Sequence, residues 1–162
     1  MTTEQYWQLL DALASSKGTD RLLEAVELLR AHPHLPLLIS CHRTGGRIRH
    51  LFASFDERNP DAAGNRYLIC FTSERQAKKA PVSPSADEAH EVGPDFSNLD
   101  ERYGKRWKKN SVAAWTVLSG ETARVSTGKV LAYVKRSYAV GSLIFNPNDE
   151  RHSLGLAKFL LE

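Results

Sequence analysis

Tyr67-Leu68-Ile69-Cys70-Phe71-Thr72-Ser73-Glu74 is the stretch whose reading decides the fold. Its five consecutive apolar residues leave no polar face to alternate with, which is the pattern of a central strand covered on both sides. Phe71 anchors the strand end in the core. Thr72 or Ser73 stops the strand and offers a hydroxyl to cap a short helix running to about residue 80. A second buried strand is expected over residues 141–145, closing in Asn146-Pro147-Asn148-Asp149. There Asn146 can form a side-chain turn and Pro147 fixes φ, so the chain leaves the sheet sharply. The two runs are expected to be neighbouring interior strands of one sheet.

Toward the N-terminus, Tyr6, Leu9, Leu10 and Leu13 fall at helical spacing, and Thr2 with Gln5 has the spacing of a capping box. Gly18 marks a stop, and Thr19 or Asp20 opens a second helix with Leu22, Val26 and Leu29 on one face and Leu23 beside it. Pro33 and Pro36 bar its continuation. Residues 1–32 thus read as a helical hairpin. A strand over 37–41, a Thr44-Gly45-Gly46-Arg47 turn and a strand over 48–55 suggest a β-hairpin. Residues 81–94 have neither period and read as a mobile loop within 81–95. A helix over 97–107, a strand over 112–118 and a helix over 127–137 with Val130, Leu131 and Val134 inward follow. A last helix is expected to carry Leu154, Leu156, Phe159 and Leu160, with Asp149 as its cap. The whole predicts one domain over 1–162, an α+β sandwich: a mixed sheet with flanking helices, preceded by the helical hairpin.

Composition agrees. The chain has 162 residues, 41% hydrophobic and 25% charged, which is globular and large enough for a sizeable core. No apolar run approaches the ~18–20 residues that span a bilayer, and the first residues lack a signal peptide's basic and apolar regions. A cytoplasmic protein without membrane contact is expected. Two cysteines, Cys41 and Cys70, are too few for a disulfide scaffold and lie in strand-like runs.

The strand ending in Phe71-Thr72-Ser73, the helix-like Lys129-Val130-Leu131-Ala132-Tyr133 and the strand ending in Phe145-Asn146-Pro147 resemble, in order and spacing, the SseB N-terminal domain family. The resemblance covers roughly residues 37–159. It departs from the family in the insert-like stretch 81–110 and in the two additional opening helices. It implies an α/β fold and a bacterial cytoplasmic setting, and it carries over no catalytic residue. On this reading the chain is a non-enzymatic SseB-like protein acting through protein–protein contacts in bacterial stress, regulation or secretion-related physiology.

Candidate chemistry is sparse. His32, His34, Cys41, His42 and His50 cluster, but Cys41 and His42 are adjacent on a strand and point to opposite faces. No zinc-ligand spacing is present, so neither metal nor cofactor is expected. Neither cysteine sits at an evident helix N-terminus that would lower its pKa. Ser119-Gly120-Glu121 lacks the nucleophile elbow, and no Gly-rich phosphate loop appears. The sharpest partner-binding candidate is Arg102, Tyr103, Lys105, Arg106, Trp107, Lys108 and Lys109, five of them Lys or Arg, after a stretch from Asp87 to Glu101 with six acidic residues and no Lys or Arg. An acidic protein surface suits it. Nucleic acid or a small anionic ligand is the alternative, with the aromatics stacking on bases. Phe71, Thr72, Ser73, Asn146 and Pro147 read as structural, the other reading being that Thr72, Ser73, Asn146 and Asn148 line a ligand crevice at the strand ends.

Overall fold

The computed structural model describes residues 1–44, 47–50, 52–54, 63–64, 66–78, 89–90, 122–147 and 149–162, with backbone alone at 41–44, 47–50, 52–54, 89–90 and 150. Helix α1 spans Thr3–Ser15 and α2 spans Asp20–Ala31. Both halves of the capping box form on α1: Gln5 N–H donates to Thr2 Oγ1 (3.1 Å), and Thr2 N–H donates to Gln5 Oε1 (2.9 Å). The helix ends one residue before Ser16, earlier than the glycine signal suggested. Thr19 precedes α2 without a side-chain cap bond. Tyr6, Leu10, Val26 and Leu29 are buried as their spacing predicts, whereas Leu9 and Leu23 remain exposed.

Strands β1 (Pro36–Thr44) and β2 (Arg47–His50) form the expected hairpin, and β3 (Phe52–Ser54) continues from it. Strand β4 is Arg66–Phe71, buried at every position, and leads into the four-residue helix α3, Glu74–Ala77. Strand β5 (Ala89–His90) pairs with Phe52 and Ala53 of β3, so the stretch read as an irregular loop contains two strand residues. Strand β6 (Thr122–Ser126) runs directly into α4 (Thr127–Arg136), followed by β7 (Val140–Phe145). The expected helix over 97–107 and strand over 112–118 lie outside the described residues.

The C-terminal stretch corrects the sequence reading. Leu154 and Leu156 belong not to a helix but to strand β8, Leu154–Ala157, and only Lys158–Leu161 forms a helix, α5. Asp149 does act as a cap, accepting from Arg151 N–H at 3.1 Å, but it caps a single 3-10 turn, Glu150–His152. Leu154 and Leu156 satisfy a period of two as readily as part of a helical stripe. The open edge of β7 decides between them by supplying backbone partners.

The described strands join in one sheet, whose body runs β6-β1-β4-β7-β8. All neighbours in that body are antiparallel except β4 and β7, which are parallel with Leu68 opposite Leu143 and Cys70 opposite Phe145. This α+β architecture puts α1, α2 and α4 on one face, over Leu37, Ile39, Leu68, Cys70, Leu143, Phe145, Leu154 and Leu156. The alternate side chains Leu38, Tyr67, Ile69 and Phe71 form a second cluster with Ala77 on the other face. Each fully buried Leu or Phe contributes about 1.5–3 kcal/mol, so the fold does not depend on exposed side chains at its rim. The Tyr6 hydroxyl, 2.7 Å from Thr127 Oγ1, ties α1 to α4, and Thr127 Oγ1 donates in turn to the Leu35 carbonyl at 2.7 Å.

Two backbones touch where β4 and β7 begin. A Cβ on Gly141 would overlap the Gly64 carbonyl oxygen, and Gly64 itself has φ +66°. Gly64 N–H donates to the Tyr138 carbonyl (3.1 Å), so the approach is held rather than incidental. Gly141→Ala is expected to lower stability by about 1–3 kcal/mol, read from the urea midpoint, because backbone must move to admit one methyl.

Burial raises the Tyr6 phenol from its ordinary 10.0 to about 12 despite the Thr127 bond, and burial also pushes the Cys70 thiol up. In both cases the unfolded chain loses its proton first. Stability contributed by these protonated groups is therefore complete below the thiol's ordinary 9.0 and is lost as pH rises through the folded values. Urea midpoints should fall progressively above that pH, and Tyr6→Phe should flatten the part of the decline above pH 10.

Candidate functional site

The carboxyl ends of β4 and β7 are joined by one side chain. Asn146 adopts φ +53°, the left-handed region that Asn tolerates better than most residues, and it is fully buried. Its Oδ1 accepts from Thr72 N–H at 3.0 Å, while its Nδ2 donates to Thr72 Oγ1 at 2.9 Å and to the His152 carbonyl at 2.8 Å. Its own N–H donates to the Cys70 carbonyl at 2.9 Å. The Thr72 hydroxyl then donates to Asp11 Oδ1 on α1 at 2.7 Å. One chain of hydrogen bonds thus links both strand ends, the 3-10 turn and the first helix.

Above this network lies a solvent-open cleft of about 900 Å³, within the size range of ligand sites. Trp7, Asp11, Thr72, Gln76, Arg124 and His152 line it together with Ser73 and exposed residues of α1 and α3. Trp7 is half-buried and donates its indole N–H to the Pro36 carbonyl at 2.8 Å. The Arg124 guanidinium sits 4.9 Å from the centre of its ring, a cation–π distance. Ser73 caps α3 by accepting from Gln76 N–H at 3.1 Å. Gln76 Nε2 donates to Asp149 Oδ2 at 3.1 Å, and the same oxygen lies 3.1 Å from His152 Nδ1. That last approach lacks hydrogen-bond geometry and is a polar contact only.

The strand-end reading is therefore divided. Thr72 and Ser73 border the cleft; Asn146 is sealed beneath it, and Phe71 is core. Pro147 is half-buried and makes the exit turn after Asn146. Asn148 and the basic group Arg102, Tyr103, Lys105, Arg106, Trp107, Lys108 and Lys109 lie outside the described residues. Cys70, which the sequence reading gave no activating neighbour, is fully buried with its thiol pKa raised, the reverse of an activated thiolate. The described residues contain no cluster of three or more metal-ligating His, Cys, Asp and Glu side chains.

Trp7, Asp11, Arg124 and His152 were not singled out from sequence. A signal existed for the first two: Thr3, Trp7 and Asp11 follow one another at i, i+4 and i+8, a second face of α1 beside the leucine stripe. Nothing local marks Arg124 or His152.

Asn146→Ala removes three side-chain hydrogen bonds and forces a left-handed alanine, and should cost about 3 kcal/mol or more in chemical denaturation. Asn146→Gly restores the backbone freedom but not the bonds, and should recover roughly 1 kcal/mol of that loss. Equal losses would show that φ carries no strain.

Comparison with family models, with curated proteins and with solved structures gives no match.

Proposed function

We propose that this chain is a non-enzymatic SseB-like protein that docks a protein partner in the cleft at the ends of β4 and β7. The reading is supported chiefly by the Trp7–Arg124 pair. An indole fixed by its bond to Pro36, with a guanidinium stacked on it at the cleft wall, is the side-chain chemistry that dominates protein interfaces. The carboxylate of Asp11, the amide of Gln76 and the imidazole of His152 add both donors and acceptors for a partner's polar groups. The setting we propose is the bacterial cytoplasm, in stress, regulation or secretion-related physiology, in keeping with the resemblance in the Phe71-Thr72-Ser73 and Phe145-Asn146-Pro147 motifs. No helix among the described residues is long and apolar enough to cross a membrane.

Affinity recovery from bacterial lysate tests this, using Arg124→Glu as the cleft variant and Glu27→Arg, on the exposed side of α2, as control. Melting curves first establish that both variants fold. The expected result is a specific protein that survives nuclease, is retained by the control and is reduced at least about tenfold by Arg124→Glu, the scale of one interfacial hot spot. Recovery abolished by nuclease, or lost only on reversing Lys105, Arg106, Lys108 and Lys109, would move function to the basic segment and to nucleic acid or another anion. Substrate turnover by the pure protein that is lost in His152→Gln would make the cleft an active site instead.

A further inference from the structure

At the far end of α1 from the cleft, the chain turns through residues 16–19 into α2, and the segment leaving the 3-10 turn passes alongside. Lys17, Arg21 and Arg151 line a second cavity there, of about 690 Å³, with Ser15, Ser16 and Ser153. Among the described lining residues there is no acid. The Lys17 and Arg151 side chains have no hydrogen-bond or ion-pair partner among the described residues, and both residues are exposed.

Arg21 is held differently. Its Nη1 donates to the carbonyls of Ser16 (2.6 Å) and Ala14 (3.0 Å), with those of Leu13 and Ser153 at 3.5 Å. The guanidinium is thereby fixed in position while its Nε and Nη2 bond to no described residue. The carbonyls at the negative end of α1 are already engaged, by Arg21 and by the hydroxyls of Ser15 and Ser16, which donate to the Asp11 and Ala12 carbonyls at 2.6 and 2.8 Å. Those carbonyls accordingly oppose an incoming anion less than free ones would. Three cationic residues lining one cavity, with no acid among its described lining residues, repel one another, and one positioned guanidinium offers a planar donor fork suited to an oxyanion.

We propose that this elbow is a binding site for a doubly charged oxyanion of the phosphate type, with Arg21 as the fixed donor and Lys17 and Arg151 closing over it. It is distinct from the cleft, which lies on the other side of the 3-10 turn and takes His152 rather than Arg151.

Amide spectra of the full chain, titrated with inorganic phosphate at constant ionic strength, test the site directly. Saturable shifts are expected at Ser16, Lys17, Gly18 and Ser153, with affinity falling at least about tenfold in the Lys17→Glu/Arg151→Glu variant, since two charge-assisted donors are replaced by carboxylates. Both side chains lack a hydrogen-bond or ion-pair partner among the described residues, so the variant should melt with the parent. Shifts that fail to saturate, that chloride reproduces, or that persist unchanged in the double variant would overturn the site. A parallel titration with a phosphoserine peptide identifies the source. Binding no tighter than phosphate supports a free anion, and binding at least tenfold tighter supports a phosphate carried on a protein.

Discussion

The amide of Asn146 joins two strands that the chain separates by residues 72–139. Parallel neighbours such as β4 and β7 cannot be closed by a hairpin, and their ends therefore need some other means of alignment. Here the Thr72 and Asn146 side chains and the Thr72 and Asn146 N–H groups complete the ladder past its last residues, at 2.9–3.0 Å. The bonds are buried, where an unmet donor or acceptor costs about 1–3 kcal/mol, so the arrangement is held by the penalty for leaving it as much as by its own strength. The extension to Asp11 and to the His152 carbonyl then fixes α1 and the 3-10 turn against the same strand ends.

This network explains where the cleft is. A sheet covered by α1, α2 and α4 on one face and by a different cluster on the other has its polar chemistry forced to the rim. Trp7 packs against both clusters and stands at that rim, so it belongs to the core through its ring and to the cleft through its exposed edge. The 3-10 turn divides the rim between two cavities of different character. One is lined by acids, bases and an aromatic; the other, among its described lining residues, only by cations, hydroxyls and small residues.

Much of this architecture was legible in the residues, and the exceptions have physical causes. The unbroken run at Tyr67–Phe71, the Thr2/Gln5 pair and the heptad-like spacing of Tyr6 and Leu10 each carry a local signal, and each forms as read. Strand β6 escaped notice because only Ala123 and Val125 face inward, too few positions to establish a period. Leu154 and Leu156 misled because two leucines fit a strand or a helix equally well, and the choice was made by the neighbouring β7 edge. The site was less legible than the fold. Thr72 and Ser73 could be placed beside it from the end of their strand, but Arg124 reaches Trp7 only because β6 and α1 meet through β1, a relation no local pattern encodes.

The contact between Gly64 and Gly141 gives the parallel pair a second clamp, at the end opposite Asn146. With β4 and β7 secured at both ends by groups belonging to the pair and its immediate flanks, their register is carried locally, and sliding one strand past the other would have to undo both fastenings at once.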